Sequence, residues 1–296
     1  MVEASKQTQT QAVQSKTDFL ELLPQVRPAL HRYCTRLAGS VFDGEDLTQL
    51  VLEKALFKLS ENLPIDNLQG WLFRIAHNAL IDNYRAAKSR PEGHLLDKEQ
   101  EEISSRPAAL DDLDWLMSLP PLQRSVLVLS NGFGYSAKQS AEILHTTEAS
   151  IKSALNRARE HLKQYQPTKT VGDLNEDDCK RLRLYSELFN DRKFDALLEL
   201  TIDEIKLDMV AKAQLAGRKD IEFYFGNYDS LTTWHVEPGI VDGKPAVLVF
   251  EPAISVKKPQ YIILLEFEAD ALKRIQDFRY ARYVMDSAKW QSVATN

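Results

Sequence analysis

The chain has 296 residues, 44% of them hydrophobic, and 37 Lys plus Arg against 43 Asp plus Glu give a formal net charge of −6. This length and apolar content predict two or three folded domains and exclude a chain that is disordered throughout. The longest apolar run, YIILLEF, is far below the roughly 20 residues that a membrane helix requires, so we expect no membrane segment. Cys34 and Cys179 lie far apart, and His31 with Cys34 has no second pair of ligands, so we expect no disulfide framework and no metal site.

The amino-terminal stretch MVEASKQTQTQAVQSKT is polar throughout. It predicts a disordered tail over residues 1–17 and not a signal peptide, which would need an apolar run. A first helical domain is predicted over residues 18–90. In its segment FDGEDLTQLVLEKALFKL, the residues Asp46, Gln49 and Glu53 recur at helical spacing on one outward stripe. Such a stripe fits either a solvated helix face or a docking surface.

The next segment, NLQGWLFRIAHNALIDNYRAAKSR, predicts a helix with one buried apolar stripe. Another face carries Asn78, Arg85 and Lys88 at helical steps. From Trp71 to Arg90, four basic residues stand against one acidic residue. The local charge therefore suits a nucleic acid although the whole chain is acidic, because local charge sets phosphate affinity.

Residues 91–111 are acidic and interrupted by proline, which is typical of a linker. A second helical domain is predicted over residues 112–166, and it contains the stretch YSAKQSAEILHTTEASIKSALNRARE. Ser136 and Gln139 form a capping-box pattern that begins one helix, and Thr147 is a suitable N-cap for the next. Two helices joined by a tight turn, with Arg and Asn on the outer face, fit a helix-turn-helix that reads base edges. The alternative is an ordinary helical hairpin with a solvated charged face.

Segments of both helical domains together resemble a known family. LPPLQRSVLVLSNGFGYSAKQSAEIL followed by TEASIKSALNRAR resembles region four of bacterial sigma factors of the extracytoplasmic-function type. DGEDLTQ resembles the region-two signature by which sigma factors grip RNA polymerase, and NLQGWLFRIAHNALIDNYRAAKSR resembles their promoter-melting segment. The resemblance implies two partners, promoter DNA and core RNA polymerase, the latter through its β′ clamp helices and β flap.

The resemblance also implies roles for individual residues. The loop over residues 62–69 would capture an extruded base, and Asn78, Arg85 and Lys88 would contact the −10 element. The acidic stripe of Asp46, Gln49 and Glu53 would bind polymerase. Contacts to the −35 element would come from Thr147, Glu148, Lys152, Ser153, Asn156 and Arg157.

A short linker is predicted over residues 167–176 and a third domain over residues 177–290. EDDCKRLRLYSELFNDRKFDALLELT predicts two helices, DEIKLDMVA a strand and RKDIEFYFGNY a third helix. Four apolar segments follow, with a hairpin signal at Asp242 and Gly243. The fold class is therefore multidomain: two all-α domains followed by an α+β cone, a curved antiparallel sheet closed by helices.

GIVDGKPAVLVFEP and RIQDFRYARYV resemble the SnoaL-like domain, a cone fold that includes isomerases and cyclases. Asp208, Tyr224, Trp234 and His235 could line a cavity there, and a small-molecule ligand is an open alternative. No spacing marks any of them as catalytic, so we expect no enzyme and no cofactor.

The sequence thus predicts a cytoplasmic sigma factor that its own C-terminal domain regulates through an intramolecular contact. The alternatives are a stand-alone ligand-sensing regulator with a helix-turn-helix, and a cone-fold isomerase or cyclase fused to a DNA-binding module.

Overall fold

The computed structural model describes residues 12–88, 113–164, 176–231 and 233–293. The chain divides into two compact units, Met1–Lys169 and Thr170–Asn296. The linker predicted at 91–111 lies outside the described residues, and so does nearly all of the linker predicted at 167–176. Within the described ranges, every helix is too short or too polar to cross a bilayer.

The first unit is helical. Its helices are α1 (Lys16–Ala38), α2 (Val41–Asn62), α3 (Leu68–Lys88), α4 (Leu113–Ser118), α5 (Pro121–Leu127), α6 (Ala137–Leu144) and α7 (Glu148–Gln164), with a π-helical turn at Val128–Gly132 after α5. Long α1, α2 and α3 pack against one another, α4 packs against α1, and both α5 and α6 pack against α3 and α7. One continuous apolar core runs through the whole unit, from Val13 to Ala158.

The disordered tail predicted over residues 1–17 does not include Val13 or the residues that follow it. Val13 is fully buried and exchanges two backbone hydrogen bonds with Ile65, each 2.9 Å long. Ser15 then caps α1 in a reciprocal capping box with Asp18. The prediction is wrong from Val13 onward because one apolar residue and one cap suffice to fix this backbone; residues 1–11 lie outside the described part of the chain.

Helices α1 and α2 cross closely where Gly44 meets α1. A Cβ atom at Gly44 would lie 2.6 Å from Thr35 Cα and 2.7 Å from Thr35 N, so only glycine fits. His31 is fully buried nearby, and its Nε2 lies 3.0 Å from the carbonyl oxygen of Val41. Burial lowers the pKa of His31 to about 4, so this imidazole is neutral at pH 7.

The loop between α2 and α3 is shorter than the predicted range of residues 62–69. Helix α2 ends at Asn62 and α3 begins at Leu68, which leaves residues 63–67 between them. Asn67 Oδ1 accepts a hydrogen bond of 2.9 Å from the backbone N–H of Gly70 and so caps α3. Ile65 is buried against Val13, which anchors the middle of this loop.

The structure contains the two helices of the predicted helix-turn-helix, and both begin with the predicted N-caps. Ser136 and Gln139 form the predicted capping box at the start of α6. His145 ends α6 in the left-handed conformation, with φ of 50°. Thr147 Oγ1 accepts a hydrogen bond of 3.1 Å from the backbone N–H of Ser150, which caps α7 as the sequence predicts.

The second unit combines helices with one sheet. Its elements are α8 (Glu176–Asn190), α9 (Phe194–Glu199), β1 (Thr201–Met209), β2 (Ala213–Ala216), α10 (Arg218–Asp229), β3 (His235–Val241), β4 (Lys244–Phe250), β5 (Tyr261–Glu268), β6 (Ala271–Asp277) and β7 (Trp290–Ser292). The strand order is β2-β1-β6-β5-β4-β3-β7. Helices precede an antiparallel run from β3 to β6, so the predicted fold class is confirmed.

The β3–β4 hairpin follows the sequence prediction, whereas two other features of the sheet do not. The hairpin between β3 and β4 turns at Asp242 and Gly243, both with positive φ, as the Asp-Gly pair predicts. The parallel pairing of β1 with β6 was not predicted, because it joins segments that are far apart in sequence. The closing segment RIQDFRYARYV is a strand only in its first part: β6 ends at Asp277, and Arg282–Asp286 forms a 3₁₀ turn.

A side chain completes the sheet beside the first half of β3. Asn190, the last residue of α8, donates from Nδ2 to the carbonyl oxygen of Val236 and accepts from its backbone N–H. Both hydrogen bonds are 2.9 Å long. The amide of Asn190 thus replaces the neighbouring strand residue that Val236 lacks on this side.

Candidate nucleic-acid interface

The outer face of α7 and its N-cap Thr147 carry all the residues predicted to read the −35 element. They are exposed: Thr147, Glu148, Lys152, Ser153, Asn156 and Arg157. Ile151, Ala154 and Ala158 are buried on the opposite side of the helix. Because those three fix how α7 is rotated, the polar residues form one continuous surface.

Two of these polar residues, Glu148 and Lys152, form an ion pair with each other. Glu148 Oε1 lies 2.7 Å from Lys152 Nζ, one helical turn away. The hydrogen bond and charge of Lys152 lower the pKa of Glu148. An exposed ion pair of this kind contributes little free energy, so Lys152 can leave Glu148 and bind a phosphate with only a small loss of stability.

Helix α3 presents part of the predicted −10 surface. Asn78 and Arg85 are exposed, and Lys88 ends the helix with its side chain outside what the structure describes. His77, next to Asn78, is buried instead, and its Nδ1 lies 2.7 Å from Ser125 Oγ on α5. Burial lowers the pKa of His77 to about 4, so it is neutral at pH 7 and takes no part in the exposed surface of α3.

The predicted polymerase-docking stripe lies on α2. Asp46 and Glu53 are exposed and Gln49 is half-buried. One turn beyond Glu53, Phe57 exposes 82% of its surface, and Leu56 beside it exposes 44%. Neither residue was predicted as part of this surface, although an apolar residue at an outward position of the stripe is itself a signal of an interface.

The four residues predicted to line a cavity in the second unit do not line a common one. Asp208 pairs in register with Gln276 of β6, and its Oδ2 lies 3.3 Å from Arg274 Nη2. Tyr224 contacts Asp277 instead, the next residue along β6. Successive strand residues point to opposite faces, so Asp208 and Tyr224 lie on opposite faces of the sheet.

The other two cavity residues also separate. His235 is exposed, and its Nε2 lies 3.6 Å from Glu237 Oε1 at the outer end of β3. Trp234 packs into an aromatic cluster, with its ring 5.8 Å from that of Tyr228, which in turn lies 5.2 Å from Tyr224. Trp234 and Tyr224 therefore belong to one aromatic cluster, whereas His235 lines a different surface cleft beside Asn190 and Glu237.

A buried carboxylate that was not predicted from the sequence, Asp277, lies at the centre of this cluster. Asp277 Oδ2 accepts hydrogen bonds from the hydroxyls of Tyr224 at 3.0 Å and Tyr228 at 2.7 Å. Its Oδ1 accepts one of 2.7 Å from the backbone N–H of Arg279. Burial raises the pKa of Asp277. The available signal was position: Asp277 follows buried Ile275 by two residues, so it shares the inward face of β6.

Two family descriptions match the helical unit. Sigma-70 region 2 matches residues 22–90, and Sigma-70 region 4 matches residues 113–162. These ranges contain the α2 stripe and α3 in the first case, and the helix-turn-helix in the second.

Several similar proteins are extracytoplasmic-function (ECF) sigma factors. The ECF RNA polymerase sigma factor EcfG of Rhodopseudomonas palustris is 31% identical over 161 residues, which cover 52% of this chain and 88% of that protein. The ECF sigma factor SigG of Mycobacterium tuberculosis is 24% identical across 90% of this chain and 82% of its own length. Among solved structures, Mycobacterium tuberculosis SigJ aligns over 87% of this chain and 95% of its own at 15% identity, with a TM-score of 0.35. The chain belongs to the extracytoplasmic-function (ECF) family of RNA polymerase sigma factors.

Proposed function

We propose that this sigma factor binds core RNA polymerase through the α2 stripe and region 4, and that it selects promoters through α3 and α7. The observation that carries the proposal is the exposed polar face of α7, whose rotation is fixed by buried Ile151, Ala154 and Ala158. Polymerase supplies the catalysis, and sigma factors direct it without being enzymes. The site of action is then the cytoplasm, where polymerase transcribes.

Promoter reading divides between the two helices. Asn156 and Arg157 on α7 suit adenine and guanine edges in the major groove, while Lys152 suits a phosphate. Asn78 and Arg85 on α3 would contact the −10 element, with Lys88 beyond them. Each surface is small and only modestly basic, so tight promoter binding depends on polymerase.

The test of promoter reading is in vitro transcription with core polymerase on promoters that differ only in the −35 element. Arg157→Ala should reduce discrimination between a matched and a mismatched element by about 1–3 kcal/mol if Arg157 reads a base. The control is Lys163→Ala, which removes an exposed lysine paired with Glu160 near the end of the same helix. An equal loss on every sequence would assign Arg157 to a phosphate instead, and the absence of any promoter-dependent transcript from the unaltered chain would refute the function.

Polymerase docking is tested separately by affinity for core enzyme. Glu53→Lys should weaken binding at least about fivefold, because reversing a charge places like charges against each other. Glu21→Lys is the matched control, since Glu21 is an equally exposed carboxylate on α1. If both variants bind core polymerase like the parent chain, the α2 stripe is not the docking surface.

For the second unit, we propose regulation of the sigma regions of the same chain, through intramolecular contact. The supporting observation is that Thr170–Asn296 is compact in itself and filled by aromatic side chains, which suits a protein-binding role better than catalysis. A chain ending after Lys169 should differ from the full chain in transcript yield by several-fold. Equal yields would show that the second unit does not modulate initiation.

A further inference from the structure

The second unit has a surface cleft at the edge of its sheet, beside the first half of β3. Strand β7 pairs with β3 only from Gly239 to Val241, and helix α8 packs against β3 as well. The cleft between α8 and this edge has a volume of about 310 Å³. That volume lies at the lower end of the range for small-molecule sites, so a ligand there would be small. We call this the edge cleft, and its polar lining includes Arg183, Ser186 and Glu187 of α8, His235 and Glu237 of β3, and Ser292 of β7.

The edge cleft is separate from the aromatic cluster around Asp277. Tyr185 and Phe189 of α8 are buried in that cluster, with the ring of Phe189 5.0 Å from that of Tyr228. Ser186 and Asn190 each follow one of them by one residue, so they lie on a different side of the helix. The two hydrogen bonds of 2.9 Å between Asn190 and Val236 fix α8 against β3 at the cleft. The walls of the edge cleft are therefore held in place without a ligand.

A buried hydroxyl in the wall of the cleft has no hydrogen-bond partner among the described residues. Ser186 is only 3% exposed, and its Oγ neither donates nor accepts there. A buried polar group without a partner destabilises the fold, and such groups are rare in folded proteins. A polar ligand in the cleft would provide the missing partner. Arg183, three residues before Ser186 on the same face of α8, brings a guanidinium to the same wall.

The opposite wall carries an oriented carboxylate. Glu237 Oε2 accepts a hydrogen bond of 2.7 Å from Ser292 Oγ, and Glu237 Oε1 lies 3.6 Å from His235 Nε2. The side chain of Glu237 remains 39% exposed, and a carboxylate has about four acceptor positions, so it can also accept from a ligand. The cleft thus presents donors on α8 and a carboxylate on β3.

The donor side and the acceptor side are close together. Ser186 precedes Asn190 by about one helical turn, roughly 5.4 Å along α8. Glu237 follows Val236 by one strand residue, roughly 3.3 Å along β3. Since Asn190 and Val236 are in direct contact, one small molecule can reach both sides.

We propose that the edge cleft binds a free α-amino acid in its zwitterionic form. The carboxylate of the ligand accepts hydrogen bonds from Ser186 and Arg183, and its ammonium group donates to Glu237. An ion of a single charge would leave one wall facing a like charge, which disfavours binding. The side chain of the ligand contacts Val236 and Pro238, the apolar part of the lining. This inference goes beyond the proposed function and does not depend on it, because binding is measured without polymerase.

Isothermal titration calorimetry on the full chain tests the class of ligand. Each of the standard free L-amino acids is titrated separately, and at least one should bind with a Kd below about 1 mM. The carboxamide and the N-acetyl derivative of that amino acid each lack one charge and should bind at least tenfold more weakly. Inositol, an uncharged polyol, is the control. The proposal is overturned if none of the amino acids binds, or if the derivatives or inositol bind equally well.

A change on β3 tests where the ligand binds. Glu237→Gln keeps an oxygen that accepts from Ser292 but removes the negative charge, so affinity for the best amino acid should fall at least tenfold. Glu204→Gln is the matched control, because Glu204 is an exposed carboxylate on β1 and its loss should leave the affinity unchanged. Unaltered binding by the Glu237→Gln variant would show that the edge cleft is not the site.

A change on α8 separates binding from folding. Ser186→Ala should weaken binding about fivefold to tenfold, the effect of one lost hydrogen bond. The melting temperature of the free chain should not fall, because Ser186 Oγ has no partner to lose among the described residues. Ser230→Ala, an exposed serine after α10, should leave the affinity unchanged. A clear fall in the melting temperature of the Ser186→Ala variant would assign the hydroxyl a structural role and overturn its place in the site.

Discussion

Replacing Arg124 with methionine should destabilise the helical unit more than any exposed charge change. The side chain is almost fully buried and donates to three backbone carbonyls, those of Leu37, Met117 and Leu119. Methionine keeps most of the apolar stem but cannot donate to any of them. The ends of α1 and α4 then lose the cation that satisfies them.

The magnitude follows from two opposing contributions. Three hydrogen bonds from a charged donor stabilise the fold by roughly 2 kcal/mol each, about 6 kcal/mol in total. Against this, burial lowers the pKa of Arg124 from 12.5 to about 10, which corresponds to roughly 3 kcal/mol of cost for burying the charge. The net expected loss in free energy of unfolding is therefore about 3 kcal/mol.

Urea unfolding followed by far-ultraviolet circular dichroism measures this loss. With a slope of about 2 kcal/mol per molar urea, the midpoint of the helical unit should fall by about 1.5 M. Arg159→Met is the control, because Arg159 is exposed on α7 and should change stability by less than about 0.5 kcal/mol. A loss below about 1 kcal/mol for Arg124→Met would show that these three bonds do not hold the helix ends together.

Three further changes test other parts of the fold. His31 and His77 are buried, and burial lowers the pKa of each from 6.5 to about 4, so the unfolded chain binds more protons than the folded chain between these pH values. The free energy of unfolding should therefore fall by about 2 kcal/mol per histidine when the pH is lowered from 7.5 to 5.0. Equal urea midpoints at the two pH values would contradict this. Gly44→Ala should lower the free energy of unfolding by more than about 3 kcal/mol, because the added Cβ would meet backbone atoms of Thr35. Gly226→Ala adds a Cβ with no atom within 4 Å and should stabilise its helix by about 0.5–1 kcal/mol. Similar shifts in melting temperature for both variants would refute the steric argument. Tyr228→Phe should destabilise the second unit by about 1–2 kcal/mol through the lost bond to its buried carboxylate, measured by amide hydrogen exchange in β5 and β6, with the exposed Tyr280→Phe near zero.

Local chemistry could be predicted from the sequence because it depends on neighbours a few residues apart. Ser136 with Gln139, Thr147, and the Asp242–Gly243 turn all take the conformations that their side chains favour. The rotation of α7 was equally predictable from its apolar spacing. These are the features that place the −35 surface.

Features set by distant pairing could not be predicted in the same way. Choosing Asp208 and not Asp277 as the inward carboxylate depends on the pairing of β1 with β6, where one residue of register decides the face. The burial of His77 depends on Ser125, 48 residues away, and the residues next to His77 in the sequence do not predict it. The sequence therefore predicted the separate helices better than the packing of α3 against α5.

The amide of Asn190 has a consequence for solubility. A β-strand whose backbone groups are unpaired can recruit another chain and begin a fibril or a swapped dimer. At Val236 both groups are already occupied, by a side chain that belongs to a helix and cannot itself extend the array. The single amide of Asn190 thus prevents a strand of another chain from pairing with the backbone of Val236.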